Sequence, residues 1–201
     1  MPGRRHILGI SDARRRAWPV NPRLSQPQVV TESALIVRVP EADACVQPLR
    51  EQFTPSITYG VAPHVTVLFP FMSPQRINAE VMRDVHAALR HVPPFAFTLG
   101  EVARFPAVVY LKPDPADAFA ALTRSICERY PQFPPYRGEY SSVVPHLTVV
   151  NVEGQAAVGV TDRLQSFLRR NGPIRADCNF VELIENSSGH WAPMHRFALA
   201  G

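Results

Sequence analysis

The chain is poor in cysteine: three in 201 residues, Cys45, Cys127 and Cys178, with no C-x-x-C pair among them. This spacing supports neither a disulfide framework nor a zinc ribbon. Cys45 and Cys127 fall on the apolar faces of predicted helices, which reads as buried thiols in a reducing cytoplasm. Long hydrophobic runs are also missing. The longest, such as Val61–Phe71, are short and broken by Pro and His. A membrane helix needs about 20 mostly apolar residues, so no span is expected. The N-terminus is basic but carries no apolar stretch of the signal-peptide kind. Lysine occurs once, at Lys112.

What is present is a core's worth of apolar material. Hydrophobic residues make up 46% and charged residues 19%, which excludes wholesale disorder. The 21 prolines suit strands joined by punctuated loops better than a helical bundle. Charge is uneven. Residues 1–30 hold six arginines against Asp12 alone, and the remaining chain is close to neutral. Residues 1–28 lack sustained periodicity, so an Arg-rich, poorly ordered tail is expected there.

From residue 29 the hydrophobic periods alternate between two and three to four. Ser33–Pro40 reads as a strand, Glu41–Phe53 as a helix, His64–Phe71 as a strand. The stripe Ile77, Val81, Val85, Leu89 marks a second helix, and Phe95–Phe105 a third strand. The same order then restarts: strand Ala107–Lys112, helix Ala116–Tyr130, strand His146–Val152, a helix to Arg170, strand Ile174–Glu185. A turn and a final strand, Trp191–Leu199, follow. The reading is an α+β fold of two similar lobes related by a pseudo-two-fold axis, about 29–105 and 106–201. Each lobe is expected to be an antiparallel sheet with two outer helices, with a cleft between the lobes.

The third element of each half opens with nearly the same words: Pro63-His64-Val65-Thr66-Val67 and Pro145-His146-Leu147-Thr148-Val149. Strand residues two apart share a face. His64 and Thr66 therefore point one way and Val65 and Val67 the other; the second motif repeats the arrangement. Chance alone supplies about 0.3 His-x-Thr matches in such a chain, so one match carries nothing. Two, each preceded by Pro and followed by Val at the same place in a repeated order, carry a great deal. Duplication of a core histidine is the bland alternative, but a His with a paired hydroxyl fills a core poorly unless hydrogen-bonded.

On these two H-x-T motifs, and on the phrases Gly60–Phe71 and Arg104-Phe105-Pro106 leading into Val108–Leu111, residues 30–200 resemble the 2H phosphoesterase superfamily. Its 2′-5′ RNA ligase or RNA 2′,3′-cyclic phosphodiesterase branch is the most similar. The resemblance implies catalytic histidines at His64 and His146 and phosphate-binding threonines at Thr66 and Thr148. It implies hydrolysis of a 2′,3′-cyclic phosphate at an RNA or nucleotide end, with reversible 2′-5′ ligation at the same site. Neither a cofactor nor a metal is called for, since two histidines can perform both proton transfers. Neither motif has a carboxylate within its strand. Partners are expected to be RNA ends or cyclic nucleotides, with no membrane and no protein partner implied. Tyr59, Phe71, Phe105, Tyr136 and Tyr140 are candidates for base stacking or for lining the cleft. Arg104 and Arg137 are candidate phosphate contacts. His6, His86 and His91 read as tail or surface, and His190 and His195 as residues of the final hairpin. Two other readings stay open at this point: a non-catalytic module that binds RNA ends, and a phosphoesterase for a small non-RNA cyclic phosphate.

Overall fold

The computed structural model describes residues 31–53, 61–140 and 142–200. The expected tail over 1–28 and the candidate Tyr59 lie outside the described residues. Eight strands form one antiparallel sheet: β1 (Ser33–Arg38), β2 (His64–Leu68), β3 (Phe95–Phe105), β4 (Val108–Asp114), β5 (Leu147–Val150), β6 (Ile174–Cys178), β7 (Phe180–Glu185) and β8 (Ala192–Ala198). Their spatial order is β6-β3-β4-β5-β2-β1-β7-β8. Among the described residues there are four α-helices: α1 (Asp43–Phe53), α2 (Ala79–Leu89), α3 (Ala116–Arg129) and α4 (Gly154–Asn171). Among the described residues, no helix is long and apolar enough to cross a membrane. The α+β class and its antiparallel pairing agree with the sequence reading.

Helix boundaries follow local chemistry. The Asn78 side chain accepts from the backbone N–H groups of Glu80 and Val81, at 2.9 and 3.0 Å, so α2 starts at Ala79, two residues after Ile77 of the predicted stripe. Val85 and Leu89 of that stripe are fully buried. Phe119, Leu122 and Ile126 of α3, and Ala157, Val160 and Leu164 of α4, share one core with them. That core also takes Leu35, Val37, Val65, Val67, Leu147, Val149, Val181 and Leu183. These strand residues alternate with the others, so the helices cover one face of the sheet and leave the opposite face to the second set.

Two details depart from the expected layout. The stretch Ile174–Glu185, read as one strand, is two: β6 pairs with β3, while β7 pairs with β1. Only Asn179 separates them. Two parts of the sheet that lie far apart in strand order are thus one residue apart in the chain, and the sheet must curl to bring them together. Polar and apolar residues interleave on both sides of Asn179, so that one more polar residue does not mark a break. Secondly, the halves of the sheet are not the halves of the sequence. One side holds β2, β1, β7 and β8, the other β5, β4, β3 and β6. A boundary at 105/106 would cut the β3–β4 hairpin, whose register runs from Thr98↔Asp114 to Phe105↔Val108. The antiparallel hairpin with its two-residue link outweighs the restart in sequence order.

The halves meet between β2 and β5, where a single pair, Val65↔Leu147, is in register. Strands that part on either side of one pair leave carbonyls without ladder partners, and buried carbonyls demand donors. Helices supply them. The Arg50 guanidinium on α1 donates Nε–H to the Val149 carbonyl (3.1 Å), Nη2–H to the Thr148 carbonyl (2.6 Å) and Nη1–H to the Val61 carbonyl (2.9 Å). On α3, Thr123 Oγ1 donates to the Val67 carbonyl at 2.8 Å. So each repeat's first helix reaches the other repeat's motif strand. Arg50→Leu leaves three acceptors without donors, and we expect unfolding free energy to fall by about 3–5 kcal/mol. Arg50→Lys recovers little, because an ammonium lacks the planar fork. Chemical denaturation of the three proteins checks this; a loss under about 1 kcal/mol for Arg50→Leu contradicts it.

Candidate active site

Each motif histidine is held the same way. His64 Nδ1 is 2.7 Å from the Ala62 carbonyl, and His146 Nδ1 is 2.7 Å from the Val144 carbonyl. In both cases the acceptor is two residues back, across a proline. Proline holds its own φ and keeps the residue before it extended, which turns that carbonyl toward the ring. A carbonyl can only accept, so Nδ1 carries the hydrogen and Nε2 is the nitrogen left for chemistry.

The register does the rest. Antiparallel pairing about Val65↔Leu147 sets His64 opposite Thr148 and Thr66 opposite His146. The four side chains occupy the face away from the helices, and the two imidazoles are diagonal neighbours. Such neighbours stand about 7–8 Å apart at their backbones, the gap that one phosphate with its hydrogen bonds spans. His64, Thr66, His146 and Thr148 are all partly exposed, whereas Val65, Leu147 and Val149 between them are buried.

The electrostatics are not symmetric. Burial, opposed by the Ala62 hydrogen bond and reinforced by the Arg50 and His146 charges, pushes the His64 pKa down to about 4. Burial also lowers that of His146, while the Val144 hydrogen bond raises it. Near neutral pH His64 is therefore an uncharged imidazole.

The aromatic candidates divide. Phe105 stacks on Tyr110 at 4.4 Å between centroids and meets the His146 ring edge-on at 5.2 Å. Tyr136 shares a side-chain hydrogen bond with Thr66, and burial raises its phenol pKa. Tyr140 is 58% exposed and packs its ring against Tyr136. Phe71 belongs to the core and not to the motif face: it is buried and edge-on to Tyr130 and Phe133. It lies past the end of β2, where alternation no longer fixes the side. Tyr136 and Arg137 have φ of 49° and 57°, left-handed values that non-glycine residues adopt at a cost of about 1–2 kcal/mol each. That loop is held by the Tyr136 N–H on the Phe69 carbonyl (2.6 Å) and by Arg137 on Glu32 (2.7 Å). Arg137 is thus tied up in an ion pair away from the motifs, and Arg104 is exposed on β3. His86 and His91 are exposed. His195 stands opposite Leu183, on the helix side of the sheet.

Sequence reading missed three groups beside the motifs. Tyr110 is opposite Thr148 and 5.2 Å from the His146 ring. Arg50 interrupts the apolar stripe of α1, a detectable signal. Arg38, opposite His64, had no signal, because strand pairing cannot be read from one strand.

No curated protein sequence matches the chain. Solved structures do. E. coli LigT complexed with 3′-AMP superposes with a TM-score of 0.57 at 16% identity, covering 85% of this chain and 99% of its own. E. coli LigT complexed with NADP+ gives 0.53 at 18%, covering 85% and 98%. A structure described as a phosphoesterase gives 0.53 at 17%, covering 85% and 99%. At these identities the likeness establishes the fold. A family model, the 2′-5′ RNA ligase superfamily, matches residues 38–190, a span that includes both H-x-T motifs and the strands that carry them. The chain belongs to the 2′-5′ RNA ligase superfamily of 2H phosphoesterases.

Proposed function

We propose that this protein is a metal-independent phosphodiesterase that opens 2′,3′-cyclic phosphates at RNA or nucleotide ends. Reversible 2′-5′ ligation would run at the same site. One observation carries the reading: two imidazoles, each with Nδ1 tied to a carbonyl and Nε2 free, diagonal across a pair of threonines on one open face. A binding module needs hydrogen-bond donors there, but it has no use for two matched proton-transfer groups.

The chemistry follows from the asymmetry. Neutral His64 takes a proton from water through Nε2 as the water oxygen attacks phosphorus. His146, protonated, gives its Nε2 proton to the departing ribose oxygen as the P–O bond breaks. The Thr66 and Thr148 hydroxyls donate to the non-bridging oxygens, where negative charge builds. A bound phosphate anion raises both imidazole pKa values, which restores a proton to His146. Tyr136 hydrogen-bonds Thr66, and Phe105 with Tyr110 walls the His146 side. Free thiols at Cys45, Cys127 and Cys178 suit a reducing cytoplasm. The complexes of LigT with 3′-AMP, ATP and NADP+ support a nucleotide as ligand.

His64→Ala and His146→Ala should each remove about 10²–10⁴ of the turnover of a 2′,3′-cyclic nucleotide. Thr66→Ala and Thr148→Ala should cost about 10²–10³ at most. Turnover should persist in excess chelator. A double-histidine variant with full activity would falsify the scheme, and loss of turnover in chelator restored by a divalent cation would replace it with metal catalysis.

The pH dependence has a definite sign. In the free enzyme His64 protonates only as pH falls toward about 4, and His146 loses its proton below the ordinary histidine value of 6.5. The kcat/KM profile should therefore be bell-shaped with both limbs on the acid side of pH 6.5. NMR titration of the imidazole nitrogens should show the same order, and saturating phosphate should move both midpoints upward. Histidine midpoints at 6.5 or above in the free protein contradict it.

A further inference from the structure

Beside His64, the open face of β1 and β7 carries a pocket of about 100 Å³. Ile36, Val61, Ile184 and Trp191 form its apolar walls, and Arg38 and Glu182 complete its lining. We propose that this pocket is a base-reading subsite, which takes the hydrogen-bonding edge of a pyrimidine whose phosphate lies between His64 and His146. It rests on the phosphodiesterase reading and specifies that site's substrate.

Register connects the pocket to the motifs. Arg38 is opposite His64 and Ile36 opposite Thr66. Ile36 is in turn opposite Glu182, and Glu182 opposite Arg196. Opposed residues of an antiparallel ladder share a face, so all of these lie on the face of the histidines. From β2 to β7 is two strand spacings, about 9–10 Å. A nucleotide spans that distance from its phosphate to the far edge of its base.

The polar pair is incomplete in a particular way. Glu182 is 1% exposed, an unusual burial for a carboxylate. Its Oε1 accepts from Arg196 Nε at 2.7 Å, which fixes the group from the outer side. Its Oε2 and the Arg38 Nε stand 4.0 Å apart, and neither has a hydrogen-bond partner among the described residues. A buried carboxylate oxygen and a buried guanidinium N–H left unpaired are costly. At that separation the two suit a planar group that donates to Oε2 and accepts from Nε through adjacent atoms. Cytosine offers N4–H beside N3, and uracil N3–H beside a carbonyl oxygen. The Trp191 ring, itself edge-on to Phe69 at 6.0 Å, provides the aromatic wall for such a plane. The volume equals about three waters' share of the liquid, which favours the edge of a single ring over a fused bicycle.

Calorimetric titration of the full chain with cytidine 3′-monophosphate, adenosine 3′-monophosphate and 1-O-methylribose 3-phosphate tests this. Cytidine 3′-monophosphate should bind about tenfold or more tighter than the base-free phosphate, the effect of one to two charge-assisted hydrogen bonds. Arg38→Gln and Glu182→Gln should bring that ratio close to one. If Glu182→Gln fails to fold, Arg38→Gln and Trp191→Ala carry the same comparison. Equal binding of the cytidine and base-free ligands by the wild type overturns the subsite. So does a variant series that weakens both ligands alike and keeps the ratio. Adenosine bound as tightly as cytidine overturns the pyrimidine assignment. Turnover of the corresponding 2′,3′-cyclic phosphates reads the reaction separately. Turnover without base preference keeps the chemistry and discards the subsite; base-selective binding without turnover does the reverse.

Discussion

A buried positive charge that, among the described residues, bonds carbonyls and no carboxylate is what the arrangement depends on. Arg50 lies in the α1 core stripe, and three of its five N–H groups go to carbonyls: two from β5 and one from the segment entering β2. Those carbonyls are available because β2 and β5 meet at one residue pair and then part. The parting is what opens room for a ligand between the motifs, and it removes the ladder bonds that would otherwise join them. Arg50 replaces those bonds from behind. Its charge also acts through the strand on His64, adding to burial in keeping that ring neutral.

The remaining geometry is alternation carried across the sheet. Val65 and Leu147 face the helices, so their neighbours must face away, and the single registered pair fixes which histidine sits opposite which threonine. The smaller apolar cluster of Ala34, Ile36 and Ile184, with Val61, Phe69 and Trp191 packed on it, lies on that same outward face. The outer face is therefore not uniformly polar. It has the mixed lining of a ligand site, apolar walls with a few placed polar groups.

The motifs, their shared face and the element order were legible because each rests on local period and on repetition. His64 and His146 stood out by their identical settings. The division of Ile174–Glu185 was not legible, since Asn179 is one of five polar residues among twelve and does not stand out, and nothing local says that the strand before it pairs with β3 and the next with β1. Phe71 misled for a related reason: its place next to a motif strand suggested the cleft, but past Leu68 the chain turns into the core. Tyr110, Arg38 and Glu182 come to the site only through pairing partners tens of residues away. Such partners are set by tertiary register, which one strand's sequence does not contain.

The one-residue link at Asn179 has a mechanical meaning for the site. In a protein built of two halves on a flexible joint, a cleft opens and closes as the halves rock. Here β3 was contributed by one repeat and lies in the other's half of the sheet, while β6 passes straight into β7 across the divide. Rocking about the single Val65↔Leu147 pair is opposed by this short covalent tie. The one-residue strap at Asn179 consequently limits how far the two sides of the motif face can separate, so their spacing is a property of the fold itself.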